Sequence, residues 1–150
     1  MELSPWLPLA AGVGSAVAGG FYVAFSAVVI PALRRRPSHE AAATMVAINE
    51  QALRPPFMLV FFGTAVACGG AAVVAIVDPE ARSLLRLAGS AAYLAGWVLT
   101  MAVNVPHNNR LAADGAGHWP AFDRFWTRAN HVRTVLSVAG AAALIVPAPS

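Results

Sequence analysis

LPLAAGVGSAVAGGFYVAFSAVVIPAL, residues 7–33, contains no charged side chain. The hydrocarbon core of a bilayer is about 30 Å thick, and a helix crosses it with roughly 20 apolar residues. This block is long enough to do so alone, and others follow it. Phe57 to Val77 again carries no charge, Leu87 to Val103 is a third block, and Val135 to Val146 closes a fourth. The third reaches spanning length if it runs from Leu84 to about Asn104, and the fourth if it begins near Asn130. The chain is 58% hydrophobic and 11% charged, against roughly 25% charged in ordinary soluble domains. Backbone groups in lipid must be satisfied inside each segment, so a span is a helix or part of a closed barrel. The blocks lack the period-two alternation of barrel strands. The expected fold is all-α: a four-helix transmembrane bundle, a single integral membrane domain over residues 1–150. Its helices are placed at about 7–33, 57–77, 84–104 and 130–146. A short amphipathic cytoplasmic helix, about 39–53, lies between helices 1 and 2.

The net charge of +3 is carried by ten basic residues, all arginine. It is too small and too segregated among the loops for nucleic-acid binding and reads better as topology. Arg34, Arg35, Arg36 and Arg54 follow the first block, and Arg110, Arg124, Arg128 and Arg133 follow the third. Only Arg82 and Arg86 follow the second. The positive-inside bias then puts the first and third loops in the cytoplasm, with both termini outside, in an inner or plasma membrane. Met1–Pro5 has no basic residue, and the first block exceeds a signal-peptide core, so it is expected to stay. Cys68 is the sole cysteine and reads as a small buried apolar side chain.

Small residues four apart allow close helix approach in membranes. Gly12, Ala16 and Gly20 form such a series, as do Gly63, Ala67 and Ala71. The first of these leaves room for a homo-oligomer. Ser38 has the character of a helix N-cap, with Met45, Ile48 and Ala52 on the apolar side of the short helix. Pro106 is expected to kink or end the third span.

The polar residues are placed unevenly. Tyr93, Trp97, Thr100, Asn104 and then His107 with Asn108 recur at helical spacing on one face. Trp119, Phe122, Trp126, Asn130, Arg133 and Ser137 form a second stripe. Tryptophan is common at membrane interfaces, but an arginine heading into the span needs an interior partner. Glu50 is the first choice for that partner and Asp123 the second. Asn49 and Glu50, Asn104 to Asn109, and Asn130 to Arg133 all fall at the cytoplasmic ends of their segments. Together with Tyr22 they outline an apolar pocket with a few directed polar groups. No zinc-protease, redox-dithiol, nucleophile-elbow or phosphate-loop motif is present. His107 and His131 are the pair from which a haem or copper site would be built.

Four segments together resemble the DUF1772 family, the anthrone oxygenase-like membrane proteins. They are Gly20-Phe21-Tyr22 through Pro31-Ala32-Leu33, Ile48-Asn49 followed by Pro56-Phe57, Asn104-Val105-Pro106-His107-Asn108-Asn109-Arg110-Leu111, and Trp126-x-x-x-Asn130-x-x-Arg133. The resemblance implies a small membrane-embedded oxidoreductase that oxidises a flat aromatic, polyketide-like molecule with dioxygen and without an added organic cofactor. It implies removal of one proton and stabilisation of an oxyanion. On that footing His107 is the first choice for the base and Glu50 the second. Asn104, Asn108, Asn130 and Arg133 suit the oxyanion, no metal ligand is assigned, and Tyr22, Asn49, Tyr93, Trp97, Trp119 and Trp126 suit the substrate. The competing readings are a non-catalytic partner or carrier protein and a haem or metal redox protein. A carrier is disfavoured by the lack of internal symmetry and of polar groups at mid-span.

Overall fold

The structure, a computed structural model, describes residues 6–146. The readings made on Met1–Pro5 lie outside the described residues. Those residues form five helices and no strand: α1 (Trp6–Leu33), α2 (Ser38–Ala52), α3 (Pro55–Val77), α4 (Ser83–Gly117) and α5 (Trp119–Ile145). Three of them, α1, α3 and α4, are long and apolar enough to cross a membrane. α5 is not among them, although it has 27 residues. Asp123, Arg124, Arg128, Asn130, His131 and Arg133 interrupt its apolar run.

Two helices depart from their expected bounds. α4 was expected to stop near Asn104 at Pro106, but it continues to Gly117. A single π turn, Thr100–Asn104, precedes the proline. Proline lacks the N–H that the next turn would use, and its ring crowds the carbonyl four residues back. A widened turn accommodates both defects without ending the helix. α1 does the same, with a π turn at Phe25–Val29 ahead of Pro31. α5 begins at Trp119, eleven residues before Asn130, because Pro120 is tolerated in a first helical turn. α2 starts at Ser38, but Pro37 holds the cap position and no side-chain cap bond forms. Arg36 and Glu40 pair at 3.4 Å beside it.

α1 packs on α5, α5 on α4, α4 on α3 and α3 on α1, which closes a ring. α4 and α5 approach closest at Gly89 and Gly140, where a Cβ on either residue would lie 2.9 Å from the other's carbonyl oxygen. The inward stripe of α1 is Ala11, Ser15, Ala18 and Tyr22, and that of α3 is Phe61, Thr64, Cys68 and Ala71. Of the small-residue series expected on α1, only Gly12 is used inside the ring, against Leu144 and Ile145. Ala16, Gly20 and Gly63 face outward, while Ala11, Ser15 and Ala18 take the inward positions of α1. Cys68 is fully buried, 4.0 Å from the Ser15 hydroxyl.

α2 lies across one end of the ring. Its Ala41, Ala42 and Met45 pack with Ile30 and Leu33 of α1, Leu111 of α4, and Trp119, Phe122 and Trp126 of α5. Ile48 and Ala52 are only half buried. Arg34, just past the end of α1, is tied to Asp123 of α5 at 2.9 Å on the same end.

Candidate functional site

The two π turns lie at the same end of the ring, and each brings polar groups inward. The Asn130 amide donates to the Tyr22 carbonyl at 2.9 Å and to the Ser26 hydroxyl at 2.8 Å, both on α1. Ser26 belongs to the first π turn. Asn104, in the second, donates to the Trp126 carbonyl at 3.2 Å. Each buried asparagine thus ties a neighbouring helix by its backbone, and a hydrogen bond in a low-dielectric interior holds that register well.

Arg133 lies one turn further along α5. It is 5% exposed. It donates to the Asn130 side-chain oxygen at 2.7 Å and to the Thr100 hydroxyl at 3.1 Å. Its guanidinium sits over the Tyr22 ring, 4.3 Å from the ring centre, and 5.4 Å from that of Trp126. Among the described residues no carboxylate pairs with it. Glu50, the expected partner, is exposed, and Asp123 is engaged with Arg34. Stripe geometry explains both results: Arg133 follows Trp126 and Asn130 inward, while Glu50 falls on the outer side of α2. The Arg133 Nε has no hydrogen-bond partner in the protein. A buried, uncompensated cation is costly, so this group marks a place for a negative charge.

A cavity of about 240 Å³ opens beside it, just below the roughly 300–1,000 Å³ of typical ligand clefts. Its aromatic walls are Phe21, Tyr22, Phe25, Phe57, Phe61 and Trp126, and its polar points are Asn49, Thr100, Asn104, Asn108, Asn130 and Arg133. Several polar atoms here are buried without a partner: Asn49 Nδ2, the side-chain oxygens of Asn104 and Asn108, and the Trp126 indole N–H. The mouth lies between Leu53, Phe62 and Met101, which are 72%, 47% and 44% exposed. It therefore faces sideways, out of the ring. A second hollow, lined by Ile48, Gln51 and Arg54, lies on the other side of Phe57.

Seven of the twelve sequence-derived site residues line the cavity: Tyr22, Asn49, Asn104, Asn108, Trp126, Asn130 and Arg133. Five do not. Tyr93 is buried behind the wall, donating to the Phe61 carbonyl at 3.1 Å, and Trp97 stacks on Phe61 at 5.8 Å. Both support the aromatic wall from the far side. Trp119 stacks on Phe122, which stacks on Trp126. Glu50 points outward. His107 leaves the inward face because Asn104, Asn108 and Leu111 occupy it. Its Nδ1 lies 3.0 Å from His118 Nε2, and its ring stacks on Phe125. His107 thus meets His118 rather than His131, which is exposed on α5. No cluster of three or more metal-ligating side chains occurs among the described residues.

Phe25 and Phe61 were missed, since a phenylalanine carries no distinguishing signal in a block already apolar. Phe21 and Phe57 stood in the segments that carry the family resemblance, and Ser26 stands one turn after Tyr22 on the same face, but none of the three was assigned to the site.

No curated protein and no solved structure matches the chain. The sequence model of one family, described as anthrone oxygenase, matches residues 57–143. That is more than half of the 150 residues, and it takes in Asn104, Asn108, Trp126, Asn130 and Arg133. The chain belongs to the anthrone oxygenase family.

Proposed function

We propose that this protein is a membrane-embedded oxygenase that holds a flat aromatic substrate beside Arg133 as its anion and exposes it to dioxygen. The observation that carries this reading is Arg133, a buried guanidinium paired with no carboxylate among the described residues, facing an aromatic-walled cavity. An anthrone carries an acidic methylene opposite a ketone, so loss of one proton places negative charge on the ketone oxygen. A guanidinium and amide donors fixed in a dry site stabilise that charge without reorganising. Phe21, Phe57 and Trp126 suit the ring faces. The oxidation balances as the methylene plus dioxygen giving a carbonyl plus water, and it calls on no organic cofactor.

α5 serves as the fourth membrane span in this reading. Two of its six interruptions, Asn130 and Arg133, turn into the ring and away from lipid, which suits intramembrane polar residues. The end with the cavity carries Arg34, Arg35, Arg36, Arg54, Arg110, Arg124 and Arg128, and the other end only Arg82 and Arg86. The positive-inside bias puts the cavity end on the cytoplasmic side. The sideways mouth suits a substrate dissolved in the bilayer. The test is conversion of 1,8-dihydroxyanthrone to its quinone by purified protein in air-saturated detergent with chelator present. Turnover above a protein-free blank supports the reading, and a rate equal to the blank overturns it.

A further inference from the structure

Resting on that reading, we propose that Tyr22 is the catalytic residue that carries the proton between the two halves of the reaction. His107 and Glu50 lie outside the cavity wall, so neither touches a molecule bound there. Among the residues lining the cavity, Tyr22 and Arg133 are the only titratable groups. Arginine does not give up its proton in proteins, which leaves the phenol. Its ring is covered by the Arg133 guanidinium at 4.3 Å. The Thr100 hydroxyl, to which Arg133 donates at 3.1 Å, lies beside it. The other tyrosine, Tyr93, spends its hydroxyl on the Phe61 carbonyl.

The cycle closes on this pair. The substrate is held beside Arg133 as its anion, its methylene proton released to solvent, with Tyr22 a neutral phenol. The anion gives an electron to dioxygen, and the two radicals combine as a C–O bond in a peroxide anion. The Tyr22 hydroxyl donates its proton to that oxygen, and the phenolate it becomes holds the negative charge beside Arg133. The phenolate then takes the remaining C–H proton of the hydroperoxide; that electron pair forms the carbonyl, the O–O bond breaks, and hydroxide leaves, making one water with the proton released at the start. Tyr22 is again a phenol.

The experiment compares the full chain with Tyr22→Phe, which keeps the ring under Arg133 and removes only the hydroxyl. Binding of 1,8-dihydroxyanthraquinone, followed by tryptophan fluorescence, should change by less than about threefold. The kcat for 1,8-dihydroxyanthrone should fall by about 100-fold or more, the usual scale for a lost acid–base group. A second measurement does not depend on that variant. With Tyr93→Phe in the background, Tyr22 is the only tyrosine of the two in the chain. Replacing it biosynthetically by 3-fluorotyrosine, a more acidic phenol, should move the pH profile of kcat to lower pH. A near-wild-type kcat in Tyr22→Phe, or an unmoved profile, overturns the proton role while the oxygenase reading stands. If the wild type leaves the anthrone unchanged, the oxygenase reading fails and the proton role falls with it.

Discussion

Replacing Arg133 by methionine separates its charge from its volume. Methionine follows a similar straight path through the core but offers no charge and no donors. In the native protein the guanidinium is 5% exposed and unmatched by any described carboxylate. Its local support is two hydrogen bonds, at 2.7 and 3.1 Å, and the Tyr22 ring face. Hydrogen bonds to charged groups contribute about 1.5–3 kcal/mol each, and a desolvated cation–π contact about 2 kcal/mol. Against them stands a desolvation penalty of several kcal/mol for the buried ion. The two sides nearly cancel, so we expect the Tm of Arg133→Met to stay near wild type or rise. Binding behaves differently. An anionic ligand loses one charge-assisted contact, again about 1.5–3 kcal/mol, or about 10–150-fold in Kd at 1.4 kcal/mol per factor of ten. The assay is quenching of tryptophan fluorescence by anthraquinone-2-carboxylate and by neutral 2-methylanthraquinone. The carboxylate should lose that factor and the neutral probe should not. Equal losses for both probes would refute the assignment of Arg133 as the anion anchor. So would a fall in stability beyond about 2 kcal/mol, since that would make the arginine a structural strut.

Three further outcomes follow from the packing. Asn130→Ala removes the ties to Tyr22, Ser26 and Arg133 and strands buried partners at about 1–3 kcal/mol each. We expect a lower Tm by circular dichroism and weaker anion binding together. Gly140→Val pushes a side chain onto the Gly89 carbonyl, a backbone atom that cannot rotate away. It should destabilise by about 1–3 kcal/mol in a thermal melt, with α4 and α5 separating first in hydrogen exchange. Asp123→Ala breaks the pair with Arg34, which is half exposed. Such pairs contribute about 0–1 kcal/mol, so a denaturant titration should show almost no change.

The membrane class was legible because it rests on block length, which tertiary context does not alter. The stripe from Trp119 through Trp126 to Arg133 was legible for a similar reason, since helical spacing alone puts those residues on one face. The helix end set near Pro106 came too early, because the effect of that proline depends on whether the preceding turn can widen. The π turn at Thr100–Asn104 lets the helix pass, and the continuation carries Asn108 inward and His107 out to His118. The partner of Arg133 was misread on the assumption that a buried cation must meet an acid of its own chain. Glu50 is near in topology, but its place on the outer side of α2 is set by Met45 and Ala41, which take the inner side. The close approach at Gly89 and Gly140 was hidden because those glycines do not belong to a series spaced by four on one helix. Each depends on the other across the interface.

The central claim is tested most directly by running the reaction of 1,8-dihydroxyanthrone under isotopically labelled dioxygen with wild type and Arg133→Met side by side. We expect one labelled oxygen atom in each quinone, one dioxygen consumed per turnover, and a rate well above the protein-free blank. The same rate should be sharply reduced in Arg133→Met. A wild-type rate equal to the blank, or label absent from the quinone, would contradict the assignment of this cavity as an oxygenase site.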